Sequence, residues 1–229
     1  MTWVKICGIT NLEDALIAVE AGADALGFVF YEKSPRKVSV ETARAIVAEV
    51  PERVEKVGVF VEQSAAEIRQ IVQGAGLTTV QAPSEAFVEG GLFNAAVSNN
   101  EPSLKERWGS DKLILGCQAE GLRYLFLSEQ ARKKIHAVLV DSGSAVTPGG
   151  TGKTFDWEQS ADKVKDLGRM ARVIVAGGLK PDNVSEAMRL FESFGVDVAS
   201  GVEAKPGKKD PEKVRAFVRA VRLADQKVV

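Results

Sequence analysis

The chain has 229 residues, and its 30 Lys and Arg against 31 Asp and Glu leave a net charge of −1. That balance removes the general electrostatic attraction on which nonspecific nucleic-acid or membrane-surface binding depends, and no apolar run approaches the roughly 20 residues that span a bilayer. Two cysteines and one histidine are too few for a disulfide framework or a zinc site. The opening Met-Thr-Trp-Val-Lys-Ile-Cys-Gly-Ile-Thr lacks the basic-then-apolar plan of a secretory signal. One cytoplasmic domain over residues 1–229 is expected.

Along the chain, short runs rich in Val, Ile, Leu and Phe alternate with longer stretches of helical period. Strands are predicted at Trp3–Cys7, Asp24–Phe30, Val54–Val61, Leu77–Gln81, Lys112–Gln118, Ala137–Asp141, Arg172–Ala176 and Val196–Ser200. Near-continuous apolar character is what a parallel sheet buried on both faces requires. Asn11–Ala21 reads as an amphipathic helix capped by Asn11, with Leu12, Ala15, Leu16 and Val19 on its apolar face. Asp182–Phe191 and Pro211–Leu223 have the same character. Gly22, Gly76 and Gly195 each stand between a helix and an apolar strand, as a left-handed helix end would ask. Eight strands alternating with helices in so short a chain predict an α/β fold, a single (β/α)8 barrel. Ser84–Ser110, with Gly90-Gly91, Asn99-Asn100 and Pro102, accommodates only a short or irregular helix after strand four.

In such a barrel, function belongs to the C-terminal strand ends and the loops beyond them. Cys7 closes the first strand before Gly8; it is either a packed thiol or a base or nucleophile whose pKa nearby positive charge would lower. Asp141 closes the sixth strand ahead of a Gly-rich loop, Ser142 to Lys153, which fits a catalytic acid or base better than a helix cap. That loop lacks the spacing of a nucleotide-binding P-loop and reads as a flap over a small ligand or as plain surface. Gly177-Gly178 and Ser200-Gly201 follow strands seven and eight, where barrels commonly hold a phosphate ester on backbone N–H groups. Arg36 is either a solvated charge or a fork for a carboxylate. Lys5, two residues before Cys7, shares its side of the strand and needs a buried anion, for which Asp197 on the neighbouring eighth strand is the candidate. His136 precedes its strand and is read as structural or exposed. Cys117 is left as structural.

Together these residues resemble the phosphoribosylanthranilate isomerase family of tryptophan biosynthesis. The matching segments are Val4–Thr10, Gly27–Phe30 with Ser34–Arg36, Val57–Val61, Leu139–Ser142, Gly149–Trp157, Ala176–Leu179 and Asp197–Glu203. The resemblance implies a cofactor-free Amadori rearrangement of a phosphorylated small molecule, with Asp141 as general acid and Cys7 as general base. Arg36 would hold the anthranilate carboxylate, and Gly177, Gly178, Ser200 and Gly201 the phosphate. Such a pair works near neutrality if the acid's pKa is raised and the base's lowered. The related isomerase of histidine biosynthesis carries a carboxylate where this chain has Cys7. Monomer and homodimer both remain open. One departure stands out: after strand four the family usually reads Gln-Leu-His-Gly, whereas this chain reads Gln81-Ala82-Pro83-Ser84, so the loop there is expected to be remodelled.

Overall fold

Eight parallel strands close on themselves in sequence order. The computed structural model describes residues 1–84, 103–118, 135–141 and 157–226. Its strands are β1 (Trp3–Cys7), β2 (Ala25–Val29), β3 (Glu55–Val59), β4 (Thr79–Pro83), β5 (Lys112–Gln118), β6 (Ala137–Asp141), β7 (Val173–Val175) and β8 (Gly195–Val198). The described helices are α1 (Leu12–Ala21), α2 (Val40–Glu49), α3 (Ala65–Ala75), α4 (Leu104–Trp108), α5 (Trp157–Gly168), α6 (Val184–Phe191) and α7 (Pro211–Gln226). A 3-10 turn (Ser200–Val202) and a small antiparallel hairpin, β9 (Glu203–Lys205) and β10 (Lys208–Lys209), follow β8.

The eight expected strands are all present, and the first, fifth and sixth coincide with their predicted limits. The fourth lies later than expected, at Thr79–Pro83, and the described residues 103–110 of the segment Ser84–Ser110 contain the five-residue helix α4. The rest of that segment, at 85–102, and the Ser142–Lys153 flap lie outside the described residues. No helix among the described residues is long and apolar enough to cross a membrane.

Alternation along each strand divides the core in two. Trp3, Ala25, Val57, Ile114, Leu139 and Ile174 belong to one buried apolar cluster, which fills the barrel. A larger cluster, including Val4, Leu26, Val80, Val138 and Phe217, lies between sheet and helices. Beside the inner cluster, at the N-terminal strand ends, Glu55 accepts from Thr79 (3.0 Å) and Lys112 (2.8 Å). His136 is packed edge-on to Phe194 close by. It is a residue of the stability face, away from the strand ends that carry chemistry.

Two local expectations need correction. The buried face of α1 is Asp14, Ala15, Ile17 and Ala18, whereas Leu12 and Leu16 are exposed. The polar Asp14 is covered because its carboxylate accepts from the Lys209 backbone N–H (2.8 Å), so β10 seals that face. The glycine pattern also divides: Gly22 and Gly76 do end helices in the left-handed region, but α6 ends on Glu192 at φ 50°. Gly195 instead begins β8, where a Cβ would lie 2.8 Å from the Trp3 carbonyl oxygen; strand approach is the reason for that glycine.

Candidate active site

Lys5 and Cys7 continue the inward row that Trp3 begins on β1, and Asp141 continues the row of Ala137 and Leu139 on β6. Both rows therefore end, at the C-terminal mouth, in a chemistry-bearing side chain. Cys7 is buried and Asp141 half-buried. Room for the sulfur comes from Gly27, its register partner on β2. A Cβ there would stand 2.7 Å from Sγ and 3.0 Å from Lys5 Cε.

Beneath the sulfur, Lys5 is wholly buried and its ammonium donates to Asp197 Oδ1 at 3.0 Å, the pairing expected from the sequence. It also donates to Gln81 Oε1 at 2.9 Å, from β1 to β4. Burial disfavours that ammonium, yet the charge of Asp197 and then that of Cys7 outweigh it and hold the Lys5 pKa above its ordinary value. For Cys7 the balance is the reverse of the expectation. Burial pushes the thiol up and the Asp197 charge adds to it, while Lys5 and Lys209 only partly oppose them. The Lys5 ammonium, already paired with Asp197, offsets only part of the cost of burying the thiolate.

Arg36 lies in the loop between β2 and α2, its stem against Gly8, where a Cβ would be 2.6 Å from Arg36 Cδ. Nε and Nη2 each donate to Glu203, both at 2.8 Å. Glu203 also accepts from Lys209 Nζ (3.2 Å) and the Gly207 N–H (3.2 Å). Burial raises this carboxyl, but the Arg36 hydrogen bonds and the Lys209 charge prevail, so its pKa falls below the ordinary carboxylate range. Lys209 is almost wholly buried; burial lowers its pKa despite Glu203 and Cys7, and it also donates to the Ala199 carbonyl at 3.1 Å.

The two glycine turns meet. Gly177 and Gly178 have φ of 86° and 67°, left-handed values that glycine tolerates and other residues resist. Asn183 closes their loop, its Oδ1 accepting from Lys180 N–H (2.7 Å) and its Nδ2 donating to the Gly178 carbonyl (3.0 Å). Gly201 approaches the Leu179 carbonyl so closely that a Cβ would collide with it. The loops after β7 and β8 thus form one surface beside α6.

Along most of its length this arrangement matches known proteins. The family model of N-(5'-phosphoribosyl)anthranilate isomerase aligns with residues 4–83 and 121–220. The chain belongs to that family. An isomerase of this name from Pelobacter propionicus is 42% identical over 223 residues, covering 97% of this chain and 96% of its own. The crystal structure of the phosphoribosyl anthranilate isomerase from Thermotoga maritima is 38% identical, with a TM-score of 0.77 over 97% of this chain and 99% of that one. A solved isomerase in complex with reduced 1-(o-carboxyphenylamino)-1-deoxyribulose 5-phosphate has a TM-score of 0.74 at 36% identity, covering 97% and 99% of the two chains.

Every described candidate from the sequence sits at the same end of the barrel. Sequence reasoning gave no role to Glu203, Lys209, Gln81, Gly27 or Asn183. The Pro206-Gly207 pair between charged residues was a turn signal for the hairpin. Nothing local marked Gln81 as a partner of Lys5, 76 residues away. The departing residues Gln81, Ala82 and Pro83 lie within β4 itself, where Gln81 holds Lys5 and Ala82 is buried, and Ser84, just beyond, is buried too.

Proposed function

We propose that the chain isomerises N-(5'-phosphoribosyl)anthranilate to 1-(2-carboxyphenylamino)-1-deoxyribulose 5-phosphate, the Amadori step of tryptophan biosynthesis, with Asp141 as general acid and Cys7 as general base. The activity follows from family membership over nearly the whole chain. One observation carries the roles: inward rows of the same barrel end in a thiol on β1 and a carboxyl on β6.

The Asp141 carboxyl gives its proton to the furanose ring oxygen as the C1'–O4' bond breaks. The lone pair of the anilino nitrogen moves into a C1'=N iminium. Cys7, having released its thiol proton to solvent, removes the C2' proton as the thiolate, and the C–H electron pair forms C1'=C2' while nitrogen becomes neutral. Ketonisation of that enol, with a proton added at C1', yields the product. Cys7 ends as its resting thiol, and Asp141 regains its proton from solvent. A resting thiol with a raised pKa makes a strong base once ionised, and the cation developing at the iminium favours the thiolate when it is needed.

Arg36 receives the anthranilate carboxylate, and Gly177, Gly178, Ser200 and Gly201 hold the phosphate; two apposed glycine turns suit close backbone approach to an anion. Both cysteines are buried and neither is in a disulfide, which suits a reducing cytoplasm.

Loss of the anthranilate substrate's fluorescence provides the test. Cys7→Ala and Asp141→Asn are each expected to cut kcat at least 100-fold, the scale of positioned proton transfer. Near-normal turnover in Cys7→Ala would remove the assigned base.

A further inference from the structure

A guanidinium offers a carboxylate two different edges: the side edge, made by Nε and one hydrogen of Nη2, and the end edge, made by Nη1 and the other hydrogen of Nη2. In Arg36 the side edge is spent on Glu203, with both bonds at 2.8 Å. Neither partner is free to turn. The side chains are only 12% and 5% exposed, and Gly8 packs against the arginine stem. Glu203 is held from behind by Lys209 and by the Gly207 N–H. Gly207 is anchored in turn where its carbonyl accepts from Thr10 Oγ1 at 2.6 Å. With Lys209 protonated, the cluster Arg36–Glu203–Lys209 sums to one positive charge, so the internal ion pair does not cancel the attraction for an arriving anion.

We propose that Glu203 is a positioning residue for substrate recognition. By occupying the side edge of Arg36 it turns the end edge toward the ligand, where that edge grips the aryl carboxylate with two parallel hydrogen bonds. Glu203 thereby sets the preference for a carboxylate-bearing aryl group over one that lacks it. This rests on Arg36 as the carboxylate's partner, and the experiment separates the two.

The probes are reduced 1-(2-carboxyphenylamino)-1-deoxyribulose 5-phosphate and its phenylamino counterpart without the carboxylate. Dissociation constants are measured for wild type, Glu203→Gln, Glu203→Ala, Arg36→Ala and the double Arg36→Ala/Glu203→Ala. Both Glu203 variants are expected to bind the carboxylated probe about tenfold more weakly, the scale of one charge-assisted hydrogen bond. They bind the other probe unchanged. Their KM for substrate rises in proportion, with kcat within about threefold. The double variant is expected to be no weaker than Arg36→Ala alone. Glu203→Gln retains the side-chain volume if Glu203→Ala fails to fold. Equal weakening toward both probes, or a Glu203 loss that adds in full to the Arg36 loss, overturns the inference. Arg36→Ala that keeps the carboxylate preference overturns the Arg36 assignment and this inference with it. Arg36→Ala that loses the preference beside Glu203→Gln that keeps it overturns the inference alone.

Discussion

The α-carbon of Gly27 stands opposite Cys7 in the β1–β2 register, and a methyl group on it would lie 2.7 Å from the Cys7 sulfur. That side of the thiol is bounded by backbone rather than by a movable side chain. Gly27→Ala therefore displaces Sγ, or bends β2 away from β1. Misplacement of a reacting group by about 1 Å costs on the order of 100-fold in rate. The expected result is a kcat lowered about 10- to 100-fold, with circular dichroism unchanged. Wild-type kcat in a folded Gly27→Ala enzyme contradicts the role given to this contact.

The Cys7 thiol is expected to ionise in the alkaline rather than the neutral range. Facing it are Lys5 on its own strand, Asp197 on β8 and Lys209 on the hairpin, and burial with Asp197 outweighs the two cations. The folded pKa thus lies above the free-thiol value of about 8.5. Alkylation of Cys7 by iodoacetamide, followed by peptide mass, reads the thiolate directly and is expected to go on accelerating as pH passes that value. The stability consequence has the same sign. A raised pKa means the folded state holds the proton more tightly, so its stabilisation is present below the unfolded pKa and lost as pH climbs through the folded one. A plateau of the alkylation rate below pH 8 argues against this ordering of charges.

Beneath the thiol, the Lys5–Asp197 pair has the asymmetry of a buried ion pair. Removing one partner strands a charge, at a cost of about 3–5 kcal/mol, whereas replacing both with apolar groups is often neutral. Asp197→Ala is expected to lose that amount in urea unfolding, since the Lys5 ammonium remains wholly buried with Gln81 as its other hydrogen-bond acceptor. Lys5→Met with Asp197→Leu should recover most of it. A mild effect of Asp197→Ala, under about 1 kcal/mol, is the behaviour of a solvent-screened pair and counts against a dry one.

What the residues disclosed in advance follows a physical division. Strands such as Val138-Leu139-Val140 announce themselves because both faces are buried, and the strand-end rule then selects Cys7 and Asp141 with no structure in hand. Lys5 and Asp197 were paired because adjacency of first and last strand is a property of barrel closure, and the register sets them side by side. The hairpin of Glu203–Lys209 shows in the sequence only as its Pro206-Gly207 turn. Its residues are mostly charged, so they carry no apolar period, and its bonds reach Arg36 and Thr10 across 167 and 197 positions. The sign of the Cys7 shift was missed for a related reason. Counting the nearby ammonium was possible from sequence, but its prior engagement with Asp197 and the depth of burial belong to the folded packing.

At the other end of the site, Gly201 and Leu179 give a prediction about the phosphate. Any side chain on Gly201 meets the Leu179 carbonyl, which is backbone and cannot rotate away. Gly201→Ala must therefore part the loops after β7 and β8, and on the proposed reading, in which both loops hold the phosphate, that grip is lost. The expected outcome is a KM for substrate raised about tenfold, equivalent to about 1.4 kcal/mol, with kcat nearly retained, because binding of a remote group rather than proton transfer is lost. Competitive inhibition by inorganic phosphate should weaken by the same factor. Gly168→Ala is the control, since a Cβ there meets nothing within 4 Å; it should leave both constants unchanged. A Gly201→Ala enzyme that binds phosphate as wild type does would show that these two turns do not share the anion.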